Sequence, residues 1–370
     1  MARAQRGSVG FFAPLPPSPT GVADYAAALL KEMTKSGSLD INSTRAGAAL
    51  YHIGNNHLHR DIYRRALDHP GVVVLHDAVL QHFLLGTLTE TEYCREFVYN
   101  YGEWMRPLAH DLWKNRARSA ADARYFEYPM LKRIASHARA VIVHNPAAAS
   151  AIVRHAPDAK VIEIPHLFVP PDLPHPAEVL RFRERLGLRP RTLLVSVFGH
   201  LRESKRLPVL LRAMHRVWAC GADARLLIAG EFSSSDLERS LTPVLQDPRV
   251  LRTRYLAEPD FWRFASATDV CVNLRFPTAS ESSGIAIRLM GIGKPVIFTE
   301  GEEISRLPET ACLRVDIGIA EEETLADTIV WLAQDREAAI EIGRRAARHI
   351  AAEHAVQIAA ARYWEALRTA

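Results

Sequence analysis

Residues 279–298 read ASESSGIAIRLMGIGKPVIF. The stretch divides into a loop, a helix, a tight turn and a strand. Glu281-Ser282-Ser283-Gly284 supplies the small polar residues that open helices. Ile285, Leu289 and Ile292 recur at helical spacing and predict a face turned to a core. Gly293-Lys294-Pro295 stops the helix, and Val296-Ile297-Phe298 is a short β-rich run. A helix opening at Gly284 offers unpaired N–H groups and the positive end of its dipole to an anion such as a phosphate. Glu281 cannot help a phosphate through charge, but its carboxylate accepts hydrogen bonds from hydroxyls. Together they imply a ligand carrying both a sugar and a phosphate. The plain alternative is a capped helix beside a surface glutamate, and the local pattern leaves both open.

Outward from this stretch, strands and helices alternate. Residues 192–198 (TLLVSVF) form a near-continuous β run that ends in Gly199-His200-Leu201-Arg202-Glu203-Ser204-Lys205-Arg206, ahead of a helix over 207–217. Strand, glycine-bearing basic loop and helix describe a second anion site, with a solvated basic turn as the alternative. Further strands at 224–230, 250–255 and 270–274, with helices at 236–246 and 259–267, predict a parallel sheet. Helices over 321–334, 336–353 and 356–367 complete the chain.

The first half repeats the pattern. Residues 8–13 (SVGFFA) predict a buried first strand, followed by a proline-rich loop, Thr20-Gly21 and a helix. This is the opening of a doubly wound α/β domain, whose ligands lie beyond the strand's carboxyl end. There is no GxGxxG, so a dinucleotide fingerprint is absent. Strands follow at 48–53, 71–75, 140–143 and 161–165. His76-Asp77 sits at one such strand tip, and His144-Asn145-Pro146 at another. Residues 79–138 are helical and rich in aromatics (Tyr93, Tyr99, Tyr101, Trp104, Trp113), with a break at 125–129. Such aromatics form a core or a face for the carbohydrate or lipid of an acceptor. The proline-dense FVPPDLPHP at 168–176 is the best domain boundary, and a short helix over 181–188 follows it.

The 370 residues, 48% hydrophobic and 24% charged, describe an ordinary globular protein of about two domains. A net charge of +4 is too small and too spread to argue for nucleic acid. Residues 1–170 carry nineteen Lys/Arg against fifteen Asp/Glu, a slight excess that suits a solvated face or an anionic membrane surface. Cys94, Cys220, Cys271 and Cys312 are scattered; with Cys220 and Cys271 in apolar runs, they read as buried free thiols of a reducing cytoplasm. No apolar run is long enough to span a membrane. Residues 1–15 place basic residues ahead of VGFFAPL, like a signal peptide. The apolar run is short, prolines follow and no small-residue cleavage site appears, so a buried strand is expected instead.

Glu-x-x-Gly, a helix and Gly-Lys-Pro-Val resemble the donor-site signature of family 4 glycosyltransferases, retaining enzymes of the GT-B fold. The resemblance implies two Rossmann-like, doubly wound parallel-sheet domains facing a cleft. They would occupy residues 1–170, with a helical elaboration at 79–138, and residues 171–350, and 351–370 would be a terminal helix crossing back. It implies that Ser283, Gly284 and Ile285 hold the nucleotide-sugar diphosphate and that Glu281 contacts the sugar. The family's ribose-binding second glutamate has its place here at Arg288, a departure that turns this position into a donor of hydrogen bonds. The 199–206 loop resembles the family's Gly-Arg-Leu…Lys loop. Lys205 matches its lysine and His200 stands at its arginine, so that Arg202 and Lys205, with Arg206 as substitute, would neutralise the diphosphate beside Gly199. By the same resemblance His76 faces the reacting sugar, and Gly21, Asp24, Tyr25 and Asp77 lie on the acceptor side. The implied activity is transfer of a hexose-type sugar from a nucleotide diphosphate sugar to a glycan, lipid-linked or other hydroxyl acceptor, with retention. No cofactor or metal is implied, there being no Asp-x-Asp, and the setting would be cytoplasmic or peripheral at the inner membrane face. The alternatives are a non-catalytic GT-B binding or scaffold protein and a sugar-nucleotide epimerase.

Overall fold

The computed structural model describes residues 8–43 and 47–370; the basic start of the signal-like stretch, Arg3 and Arg6, lies outside them. Strands β1 (Val9–Phe12), β2 (Leu39–Ile41), β3 (Ala48–Ile53), β4 (Val72–Leu75), β5 (Ala140–Val143) and β6 (Val161–Glu163) form a parallel sheet in the order β2-β1-β3-β4-β5-β6. Strands β7 (Leu193–Phe198), β8 (Ala224–Ala229), β9 (Val250–Thr253), β10 (Val270–Asn273), β11 (Val296–Thr299) and β12 (Leu313–Val315) form a second, in the order β12-β11-β10-β7-β8-β9. Every residue of β4, β5 and β7 is buried, as helix-covered parallel strands require, and this is why VVVL, AVIV and LLVSVF carry little alternation. The strand order reverses between β1 and β3 and between β7 and β10. Those are the points where adjacent loops part and leave a crevice.

Each sheet has hydrophobic cores on both faces. One core of the first sheet takes in the last helix, Val356–Thr369, which packs on the Gly21–Met33 helix. There the buried hydroxyls of Tyr25 and Tyr363 lie 2.9 Å apart. The two segments that pass between the sheets touch each other, the Phe168 amide donating to the His354 carbonyl at 2.6 Å. Both sheets point their strand ends at a shared cleft.

Several local expectations change. The edge strands β2 and β12, three residues each, were not predicted. The helix after the proline-dense segment begins at once, as Pro176–Arg185, because His175 caps it and Pro176 suits its first turn. Arg124–Glu127 is a helical turn where a break was expected. Cys220 caps the Leu207–Ala219 helix and is exposed, whereas Cys94, Cys271 and Cys312 are buried, all as free thiols. In the 79–138 region Tyr93 is buried in the core, whereas Trp104 is 78% exposed.

Candidate active site

The helix Gly284–Gly291 begins in the crevice between β7 and β10. Ser283 caps it, accepting from the Ala286 amide at 3.3 Å and donating to Asn273 Oδ1 at 3.0 Å. No acceptor for the Gly284 and Ile285 amides occurs among the described residues, so two N–H groups remain open at the positive end of the helix. Gly199, at the tip of β7, faces this point. A Cβ there would lie 3.6 Å from the Ile285 side chain and 3.8 Å from Lys205 Nζ. Its φ of +90° favours glycine here, and Gly230 must be glycine too, since a Cβ on it would fall 2.0 Å from the Gly199 carbonyl oxygen.

The basic turn divides into distinct tasks. Lys205 is buried and donates from Nζ to the Phe198 carbonyl at 2.7 Å. Burial, reinforced by Arg275, pulls its pKa down to about 7. Arg206 is occupied elsewhere, paired with buried Glu321 and lying over the Phe276 ring. Arg202 is exposed, without an ion pair among the described residues, and its charge reaches Asp77 across the cleft. His200 is exposed beside it; partial desolvation of its ring, then the Arg202 charge, lower its pKa.

Glu281 lies in a loop fixed from both sides. One carboxylate oxygen accepts from Arg275 Nη1. The other accepts from the Ala279 amide at 2.9 Å and from Thr278 Oγ1 at 3.4 Å. The first sheet holds the same loop. The Ala78 amide donates to the Ala279 carbonyl at 2.8 Å, and Asn145 Nδ2 donates to the Ser280 carbonyl at 2.8 Å and to Ser282 Oγ at 3.1 Å. Asp77 accepts from the Asn55 amide at 2.9 Å, and burial, with Glu281 nearby, raises its pKa to about 6. A cavity of about 720 Å³ opens here, lined by Asn145, Arg275, Glu281 and Ser283 and reaching Arg306 and Arg362.

His76 belongs to a buried chain of histidines. His144 Nδ1 is 2.9 Å from the Ile164 carbonyl, so it must carry the proton and donate, leaving Nε2 as acceptor. His76 Nδ1 then donates to His144 Nε2 at 3.2 Å, and His52 Nδ1 to His76 Nε2 at 3.0 Å. The direction ends at His52 Nε2, buried without a partner. Burial and neighbouring imidazoles hold all three well below the usual histidine range, His52 at about 3 and His144 at about 4. Both ring nitrogens of His76 are therefore occupied by other histidines. Tyr25 packs against His76 in a T-shaped contact with centroids 4.8 Å apart and pairs its buried hydroxyl with that of Tyr363, as a core residue does.

Gly21 is exposed, and nothing lies within 4 Å of a Cβ built on it. Asp24 is exposed one turn on; partial burial, then Glu258 across the cleft, raises its pKa. Arg288 sits on the flank of its helix. Its guanidinium donates to Glu258 Oε1 at 2.6 Å and lies 4.0 Å over Phe261 and 4.3 Å over Trp262. The structure thus gathers Gly199, Lys205, Glu281, Ser283, Gly284 and Ile285 around one crevice, with Asp77 and Arg202 at its mouth. Tyr25 and His76 stand behind it. Arg275 and His166 were not singled out from sequence. His166 Nε2 comes within 3.2 Å of a Cβ built on Gly284.

Residues 191–335 match the model of a protein family described as Glycosyl transferases group 1. No curated protein matches the sequence. Among solved structures, HepE of Anabaena in complex with UDP-glucose is similar over 98% of this chain and 100% of its own, with 14% identity and a TM-score of 0.64. Sucrose-phosphate synthase from Thermosynechococcus elongatus is similar over 86% of this chain and 73% of its own, with 18% identity and a TM-score of 0.60. WaaG, a glycosyltransferase involved in lipopolysaccharide biosynthesis, is similar over 95% and 97%, with 12% identity and a TM-score of 0.60. The chain therefore has the two-sheet GT-B fold, and residues 191–335 are similar to the glycosyl transferases group 1 model.

Proposed function

We propose that the protein transfers a hexose-type sugar from a nucleotide diphosphate sugar to a hydroxyl of a glycan or lipid-linked acceptor, with retention and without a metal. The observation that carries this reading is the pair of open amides at Gly284 and Ile285, set against Gly199 and Lys205 in the β7/β10 crevice. A diphosphate seated there gains negative charge as the sugar–phosphate bond breaks. Fixed amide dipoles and a cation stabilise it more in the transition state than in the ground state, which is what accelerates the step. Lys205 supplies the buried cation and Arg202 the exposed one, so the donor set itself provides the neutralisation a metal would otherwise give. Glu281 Oε1, which accepts from Arg275 alone among the described residues, keeps capacity for a further bond, and a sugar hydroxyl donating to it would fix the ring. His76 acts through His144 and the Asn145 clamp on the Ser280–Ser282 loop, as a positioning residue. The HepE complex with UDP-glucose supports a nucleotide sugar as donor class.

The test is release of nucleoside diphosphate from a panel of nucleotide sugars, with and without hydroxyl acceptors. Acceptor-dependent release that persists in a chelator supports transfer. Binding without release would mark a scaffold, and sugar isomerisation without acceptor an epimerase.

A further inference from the structure

Behind the Glu281 loop, the cavity of about 720 Å³ runs away from the donor crevice toward the two segments that pass between the sheets. The Gly284–Gly291 helix separates the two spaces. Ile285 and Arg288 face Gly199 and Phe261, whereas Ser283, Ala286 and Ile287, on the other side of the same helix, line the cavity. None of Gly199, Lys205, Gly284 and Ile285 lines it, and neither do Gly21, Asp24 and Asp77. Its far end is built by Glu163 and Pro165, by Ile304 and Leu307, and by His354 and Arg362 where the chain crosses back.

Two of its lining side chains are more than nine-tenths buried and yet keep a free polar atom. His354, 7% exposed, donates from Nδ1 to the His166 carbonyl at 2.6 Å. A carbonyl only accepts, so Nδ1 carries the proton and Nε2 is a bare acceptor, without a partner among the described residues. Burial brings the ring's pKa down to about 4, so it is neutral near pH 7. Asn273, 5% exposed, accepts at Oδ1 from Ser283, and its Nδ2 has no partner among the described residues. Side chains buried this deeply ordinarily use all their polar atoms. Arg362 and Glu303 are half-buried and line the cavity unpaired among the described residues, and Glu353 joins them from an exposed position. The other carboxylates are engaged: Glu163 by Arg306, Glu281 by Arg275 and Glu300 by Arg314.

Free donors (Asn273 Nδ2, Arg362) thus share this space with free acceptors (His354 Nε2, Glu303), between apolar walls from Pro146, Ile287, Phe298, Ile304 and Leu307. A sugar hydroxyl donates and accepts at one atom, and the C–H faces of its ring pack on apolar side chains. A phosphate gains little, because Glu303 and Glu353 outweigh the one unpaired guanidinium. We propose that this cavity is a second saccharide site, which takes one neutral sugar unit independently of any nucleotide in the crevice. His354 and Glu303 receive its hydroxyls, and Arg362 and Asn273 donate to it. With Asn145 and Glu163 on one side and Asn273 and Glu303 on the other, the occupant touches both halves of the chain.

Saturation-transfer NMR of the full chain with glucose, galactose, mannose and N-acetylglucosamine, each at millimolar concentration, tests this. At least one sugar is expected to bind, and saturating UDP, ADP or GDP leaves it in place. Arg362→Met and Glu303→Ala are each expected to weaken it about fivefold or more, with nucleotide affinity held within about twofold. Melting temperatures of both variants set aside any loss of folding. Binding of none of the four sugars, displacement by a nucleotide, or unchanged affinity in both variants overturns the assignment. So does binding of glucosamine or glucose 6-phosphate alone, which would mark a cation or an anion site. Failure of all three diphosphates to bind would overturn the donor reading only, and the two variants would still decide this one.

Discussion

Arg275 bonds the carboxylate of Glu281, six residues on, tying the chain just after β10 to the loop ahead of the Gly284–Gly291 helix. Both side chains are mostly buried, at 23% and 19% exposure, so water screens the pair only weakly. The ion pair shapes the loop that Asn145 and Ala78 grip from the first sheet. Removing Arg275 alone leaves a carboxylate uncompensated. Arg275→Leu should therefore lower unfolding free energy by about 2–4 kcal/mol in urea titrations. Glu281→Gln preserves the shape of the loop and should cost far less stability, while lowering turnover by about 10²-fold.

Lys205 makes donor binding proton-linked. Its folded pKa of about 7 lies below the ordinary 10.5, so near neutrality the free protein holds it only partly charged. A diphosphate arriving beside it favours the charged form, so binding takes up a proton. Affinity for UDP or the matching nucleotide should fall above pH 7, by up to about tenfold per unit. Titrations in buffers of different ionisation enthalpy read the proton directly, and Lys205→Met should abolish the uptake. For folding the sign is opposite. The unfolded chain binds this proton more tightly, so Lys205 makes stability rise from pH 7 toward 10.5.

The histidine chain predicts early loss of stability in acid. His52, His76 and His144 are depressed in the folded state relative to the unfolded value of 6.5. Below that pH the unfolded chain binds more protons, so stability falls as pH drops from about 6.5 toward 4. Each histidine contributes a slope of up to about 1.4 kcal/mol per unit. Urea unfolding at pH 7 and pH 5 measures it. His52→Phe should lower stability at pH 7 and also flatten the slope.

Gly230 and Gly199 approach so closely that a methyl on Gly230 meets backbone, not a movable side chain. Gly230→Ala should cost about 2–3 kcal/mol and displace the tip of β7, where Gly199 faces the Ile285 side chain. Thermal unfolding together with nucleotide titration checks both halves of that expectation.

Much of this was legible because parallel strands buried on two faces read as hydrophobic runs, and a glycine turn followed by a helix marks where they end. TLLVSVF with its basic turn, and the helix from Gly284, are strong on both counts. β2 and β12 were not, since LDI and LRV are three-residue edges with no run to detect. Residues whose roles depend on pairing across the sheet were also hidden. His52 lies inside β3, and only the parallel register of β3 with β4 brings it to His76. Arg288 could be placed on its helix but its partner could not. Glu258 meets it through the packing of two helices thirty residues apart in sequence. The resemblance put Tyr25 on the acceptor side, and no sequence signal could show that its buried hydroxyl pairs with that of a tyrosine 338 residues away.

The most direct measurement is a crystal structure of the protein with a nucleoside diphosphate bound. A phosphate oxygen is predicted within hydrogen-bond distance, ~2.9 Å, of the Gly284 and Ile285 amides, with Lys205 turned toward it. Phosphates resting elsewhere, with those two amides still open, would contradict the assignment of this crevice as the donor site.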